Sequence, residues 1–217
     1  MKYGFVKVAA ASPFVRVADC AYNISRIEAL TREADAKGVE IITFPELSIT
    51  GYTCGDFFLK PFLNDQAEEA LLELAKRTAD TSALIIVGMP IRIKSQLFNA
   101  AVALQSGQIL GAIPKTYLPN YREFQEARWF AAARDLKLAH VQIGRFQVPI
   151  GHNVLFRSGK LAIGIEICED MWTPYTPGTR LALYGAQIIF NLSASNELAG
   201  KNTYLRSLIS GLSSQNL

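Results

Sequence analysis

The chain has 217 residues, half of them apolar, with 19% charged and a formal net charge of +3. That length and composition allow one sizeable core, as one domain or a large part of one, and exclude a disordered tail. The charges form no basic run and no stretch of about 20 residues is apolar throughout, so neither nucleic acid nor membrane is an expected partner. In chain order, the N-terminal run MKYGFVKVAAASPFV is too short in its apolar part for a signal peptide, and Gly4 to Ala10 reads as a strand. Cys20 to Lys37 carries Ile24, Ile27, Leu30 and Ala34 at helical spacing before Gly38 stops it, and Val39 to Phe44 is a second, buried strand. Asn64 to Thr78 is the clearest helix, with Ala67, Leu71, Leu74 and Ala75 on one stripe and acids in its first turns. Leu84 to Lys94, Leu97 to Leu104 and Gln108 to Ile113 read as antiparallel strands, with Ser106-Gly107 as a hairpin turn. After the turn Ser158-Gly159-Lys160 comes the apolar strand Leu161 to Ile165, then a helix from Pro177 to Gly185, a strand from Gln187 to Leu192 and a last helix from about Asn202.

Alternating strands and helices interrupted by hairpins predict an α/β or α+β layered fold, helices covering sheet, with no domain boundary inside residues 1–217. The last helix has no strand after it, so the expectation is a domain that continues beyond Leu217. Cys20, Cys54 and Cys168 are odd in number and form no C-x-x-C pair, which favours a reduced, cytoplasmic protein. His140 and His152 stand alone, so neither a zinc site nor a Cys–His couple is signalled and no metal is expected.

Chemistry concentrates where strands end. Cys168 follows the Leu161 strand beside Glu169 and Asp170; Glu46 follows the Val39 strand; Lys115 follows the Gln108 strand. Each alone has a plain reading, as a core cysteine, a helix cap or a paired structural charge. Together they suit nucleophilic catalysis without histidine. A thiol with an ordinary pKa of about 8.5 is little ionised at neutral pH, so a carboxylate must take its proton and an ammonium must hold developing charge. Lys115 and the N–H after Cys168 would then face a tetrahedral oxyanion.

The segments FPELSITGY, PKTYLP and GIEICED resemble the three signature stretches of the nitrilase, or carbon–nitrogen hydrolase, superfamily, in the same order and with matching spacing. The resemblance implies an α-β-β-α sandwich and hydrolysis of a carboxamide or nitrile through a thioester, with Glu46 as base, Lys115 as stabiliser and Cys168 as nucleophile. KTYLPNYREFQEARWF is further similar to the branch that forms the glutaminase domain of glutamine-dependent NAD synthetases. By that resemblance Tyr121 and Phe124 line a glutamine pocket, Glu169 and Ser195 contact the substrate, and Glu126 is a second, supporting carboxylate, with Glu123 the alternative. The plain reading of Tyr121, Phe124 and Trp129 is an ordinary aromatic cluster.

The same likeness implies ammonia delivery to a C-terminal synthetase domain that converts deamido-NAD to NAD, in a homo-oligomer. ATP and Mg are expected only in that partner domain, because no phosphate-binding glycine loop is present in these residues. Residues 1–217 alone are expected to hydrolyse glutamine poorly or not at all. A free-standing amidase for another small amide and a catalytically silent interaction module are the alternatives.

Overall fold

Strands that are apolar on both faces have to be covered on both sides, and the computed structural model, which describes residues 4–216, shows how this chain does it. The strands β1 (Val8–Ala10), β2 (Ile41–Thr43), β3 (Leu84–Ile93), β4 (Gln96–Gln105) and β5 (Gln108–Pro114) lie side by side in sequence order. The first three pair in parallel, and β3, β4 and β5 are antiparallel neighbours. The parallel pairs require crossovers, supplied by α1 (Cys20–Ala36) and α2 (Pro61–Arg77). Ile24, Ile27, Leu71 and Leu74 on these helices pack over Ile85 and Val87. A short hairpin, β6 (His140–Ile143) with β7 (Phe146–Pro149), sits against β5.

The other face of the sheet meets a second one, ordered β10 (Ile188–Leu192), β9 (Leu161–Ile167), β8 (Phe156–Ser158). Ile86, Ala101, Ala103 and Ile113 from the first sheet close a core with Ile163, Ile165, Ile167 and Leu192 from the second. Outside that sheet lies α3 (Pro177–Leu183), capped by the Thr176 hydroxyl and brought close by Gly164, where a Cβ would meet Leu181 Cδ1 at 2.9 Å. The layers form the expected α-β-β-α sandwich. α4 (Lys201–Gln215) follows β10 with no buried residue, and no helix among the described residues is long and apolar enough to cross a membrane.

Several boundaries shift for physical reasons. The strand expected from Gly4 shortens to Val8–Ala10, because β1 is an edge strand laddered only to Ile41–Thr43; the N-terminal reading at residues 1–3 lies outside the described residues. The Val39 strand likewise keeps only the three residues paired on both sides. α2 starts at Pro61, three residues early, since proline suits the first helical position and the Asn64 amide donates back to Phe58 O and Lys60 O. α3 ends at Leu183, with Gly185 just beyond it at φ 95°. Ser106 and Gly107 have φ 48° and 77°, the positive pair that a tight hairpin between β4 and β5 demands. Two features went unread, β8 with the β6–β7 hairpin and the 3-10 segment Tyr52–Leu59.

Gly88, mid-β3 and opposite Ala101, marks a close approach between the sheet and the loop carrying Glu46. A Cβ there would lie 2.2 Å from Leu47 N and 2.8 Å from Glu46 Cα. Gly88→Ala should therefore cost about 1–3 kcal/mol or more by overpacking, a fall of roughly 2–4 °C in Tm per kcal/mol at this size. Thermal unfolding checks it; an unchanged Tm would mean the loop yields freely.

Candidate active site

β2, β5 and β9 all deliver the chain to one edge of the sandwich, and the residue types that follow them meet there. Lys115, just after β5, extends the ladder through its N–H to Asn99 O at 2.8 Å and has no exposed surface. Its Nζ donates to Glu46 Oε1 at 2.6 Å and to Glu126 Oε1 at 2.7 Å. Asn99, on β4, donates from Nδ2 to Glu46 Oε1 at 2.6 Å, and the Tyr52 hydroxyl donates to Glu126 Oε1 at 2.7 Å. Glu46 Oε2 accepts from the Ala194 N–H at 3.2 Å, which ties this carboxylate to the segment after β10. Burial pulls the Lys115 ammonium toward its neutral form, but the charges of Glu46 and Glu126 outweigh it and hold its pKa above the ordinary value. Burial, then Glu46's charge, raises Glu126, against the pull of Lys115 and Tyr52.

Cys168 stands directly on the end of β9 with φ 46°, a left-handed backbone unusual for a residue with a side chain, and is buried. Burial first, then Glu46's charge, pushes its thiol up to about 12, while Lys115 and the Ser193 hydroxyl pull the other way. Two buried acids brace this turn. Glu166 accepts from the Gly178 N–H at 2.7 Å and the Asn191 amide at 3.3 Å, and that same amide reaches Cys168 O at 3.4 Å. Asp170 accepts from the N–H groups of Thr116 (3.0 Å) and Tyr117 (2.8 Å) through Oδ1, and from Ile167 N–H (3.0 Å) through Oδ2. One carboxylate thus staples the chain leaving Lys115 to the chain entering Cys168. Burial pushes its pKa up to about 7 against those N–H donors.

Beside Cys168 opens a cleft of about 230 Å³, lined by Tyr121, Phe124, Glu169, Trp172, Ser195 and Lys201 among others. The Tyr121 hydroxyl donates to both Glu169 oxygens, at 2.9 and 3.1 Å. Burial, then Glu169, raises that phenol to about 12. Phe124 packs edge-on to Tyr121 (5.9 Å) and Tyr52 (6.4 Å). Trp129 is elsewhere, against Phe58 and bonded to Asp56, so the aromatic residues of this segment form two groups rather than one cluster. Of the two candidate carboxylates, Glu126 lies buried on Lys115 while Glu123 sits at the surface, accepting from Asn196. Among the described residues no group of three or more His, Cys, Asp or Glu is arranged to hold a metal ion.

The sequence reading missed Asn99, Tyr52, Ser193 and Asp170. Asn99 had a signal, a lone amide inside the apolar strand LFNAAVAL. Asp170 had none for its Oδ1 partners, which are backbone groups more than fifty residues away.

Two measurements follow. A thiol held near pH 12 is alkylated slowly, so iodoacetamide labelling of Cys168, read by peptide mass spectrometry, should rise about tenfold per pH unit from roughly pH 7 to 10; a plateau near the ordinary thiol value would contradict this. Asp170→Asn turns an NH2 toward backbone N–H donors and should cost about 1–3 kcal/mol in thermal or denaturant unfolding.

Residues 7–207 match the Carbon-nitrogen hydrolase family model. The chain is 37% identical over 203 residues to the glutamine-dependent NAD(+) synthetase of Mycobacterium tuberculosis, covering 92% of this chain and 30% of that protein. It superposes on the crystal structure of a glutamine-dependent NAD(+) synthetase from Cytophaga hutchinsonii with a TM-score of 0.84 at 30% identity, over 95% of this chain and 33% of that one. An amidase from Nesterenkonia sp. shares the fold, with a TM-score of 0.76 at 17% identity over 97% of this chain and 72% of that one. The chain therefore spans about a third of the length of the NAD(+) synthetases it matches. With the family model covering nearly all of it, the chain belongs to the carbon-nitrogen hydrolase family.

Proposed function

We propose that these residues hydrolyse the side-chain amide of glutamine through a cysteine thioester. The observation that carries the reading is the enclosed cluster of Glu46, Lys115 and Glu126 against Cys168, opening on a cleft that presents Glu169 to an α-ammonium group. The Glu46 carboxylate takes the thiol proton as Sγ attacks the amide carbon. Lys115 and the N–H after Cys168 stabilise the oxyanion. The C–N bond then breaks, and the leaving nitrogen departs as ammonia with the proton from Glu46. Water, deprotonated by Glu46, attacks the thioester, the C–S bond breaks, and glutamate leaves with the thiol restored.

Glu126 touches Lys115 rather than the reacting atoms, so it acts by fixing the ammonium's position. The likeness to NAD synthetases supports a C-terminal synthetase domain as the consumer of the ammonia; in this reading that domain forms NAD from deamido-NAD with ATP and Mg, in a cytoplasmic homo-oligomer. Three unpaired thiols suit that reducing compartment. Glu169 in the cleft favours an amino-acid amide over the uncharged amides of a free-standing amidase.

The test is paired. Cys168→Ala in the natural full-length protein should abolish glutamine-driven NAD formation and leave ammonia-driven formation near wild type. Glu46→Gln should lower kcat for glutamine by roughly 10²–10⁴-fold, the usual scale for a lost general base. Loss of both nitrogen sources in Cys168→Ala, or faster turnover of butanamide than of L-glutamine by the wild type, would reject the glutaminase reading.

A further inference from the structure

The two oxygens of Glu46 are unlike. Oε1 accepts two short bonds, from Lys115 Nζ at 2.6 Å and from Asn99 Nδ2 at 2.6 Å. Oε2 accepts one longer bond among the described residues, from the Ala194 N–H at 3.2 Å. A carboxylate oxygen offers about two lone-pair sites, so Oε1 is filled while Oε2 keeps one open. Oε2 is also tied to the segment that reaches the nucleophile, because Ala194 follows Ser193, whose hydroxyl bonds the Cys168 sulfur. Oε1 is turned instead toward Lys115, which bridges to Glu126.

Asn99 has the means to fix this division. It is the one polar side chain in the β4 run LFNAAVAL, and it is buried. Its carbonyl holds the Lys115 N–H at 2.8 Å, and its side chain holds Glu46. The same Nδ2 reaches Glu126 Oε2 at 3.5 Å, so one neutral amide serves both carboxylates. Turning that amide over would set Oδ1 against Glu46, two acceptors face to face, so the donor end is fixed there. In this orientation Oδ1 has no hydrogen-bond partner among the described residues. A buried amide oxygen without a partner costs stability that an apolar side chain of the same shape would not. The gain is the donor on Glu46.

We propose that Asn99 is a positioning residue for the base: together with Lys115 it occupies Glu46 Oε1, and so makes Oε2 the oxygen that takes the Cys168 proton. The inference rests on the reading of Glu46 as general base. In that step the S–H bond breaks as sulfur attacks the amide carbon, and an O–H bond forms on Oε2. Lys115 stays charged, with N–H groups on both acids and the remaining one for the oxyanion. The proton on Oε2 then passes to the leaving nitrogen as the C–N bond breaks. A proton on Oε1 would instead lie against the donors of Lys115 and Asn99.

The test is made in the natural full-length protein with two variants that keep the size of the side chain. Asn99→Leu removes the donor and should lower kcat for L-glutamine by roughly 10- to 100-fold, the scale of one bond to a charged group. KM should stay within about threefold, because Asn99 does not line the cleft. Ammonia-driven NAD formation should stay near wild type, which reports an intact fold. Asn99→Asp places a carboxyl that donates only while protonated, so its kcat should exceed that of Asn99→Leu increasingly as pH falls. A kcat within about threefold of wild type in Asn99→Leu would overturn the proposal, as would a KM that rises as far as kcat falls. Equal kcat in the two variants at every pH, or loss of ammonia-driven formation in both, would make Asn99 purely structural and overturn it too. A Glu46→Gln protein that hydrolyses glutamine at the wild-type rate would instead reject the reading beneath, in which Glu46 is the base.

Discussion

Lys115 is an ammonium with no exposed surface, and its charge is tolerable there only because two carboxylates lie 2.6 and 2.7 Å from it. Removing one partner from such a buried cluster typically costs about 3–5 kcal/mol, a large share of the stability of any domain. The cluster draws its members from four places: the loop after β2, the residue after β5, the 3-10 turn at Glu126 and, through Asn99, the middle of β4. The sandwich and the site are therefore not separable. Closing the two sheets over Ile86, Ala101, Ile113 and Ile165 also brings the segment after β10 onto Glu46.

The electrostatics of Cys168 follow from the same enclosure. Desolvation and Glu46 keep the thiol protonated at rest, while Lys115 opposes them. A resting thiol is protected from oxidants, which attack thiolates. The carboxylate that disfavours the thiolate is also the group that would accept its proton. In the proposed reaction charge would move from sulfur to the substrate's oxygen, and Lys115 is already in place for it, with no reorganisation needed in the low-dielectric interior. The strained backbone at Cys168 and the Asp170 staple serve one end: they fix where that sulfur stands relative to the ammonium.

Around this rigid centre the cleft is built differently. Its walls come from the loop at residues 119–124, from the turn after Cys168 and from the chain leading into α4. Tyr121 is half-exposed and α4 buries no residue. Loops carry specificity and strand ends carry chemistry, a division common where function sits on a scaffold. Glu169, on the turn after Cys168, is not among the hydrogen-bond partners of the Lys115 ion cluster.

How much of this was readable from the residues alone depends on distance along the chain. The helical stripe of α2, the hairpin at Ser106-Gly107 and the buried strands rest on local periodicity and turn chemistry, and the sequence alone determined them. Glu46, Lys115 and Cys168 were also readable, each marked by a reactive group just past an apolar run. The β6–β7 hairpin was missed although HVQIGRFQV alternates around a glycine, because strands of four residues are too short for periodicity to stand out. What only tertiary structure decided were contacts between segments far apart. Glu126 rather than Glu123 reaches Lys115 because the 3-10 turn there buries one acid and leaves the other at the surface. Tyr52 and, through Thr116 and Tyr117, Asp170 gained their places through partners that no local pattern announces, since a hydrogen bond between residues 74 apart, as from Tyr52 to Glu126, leaves no periodic trace in either segment.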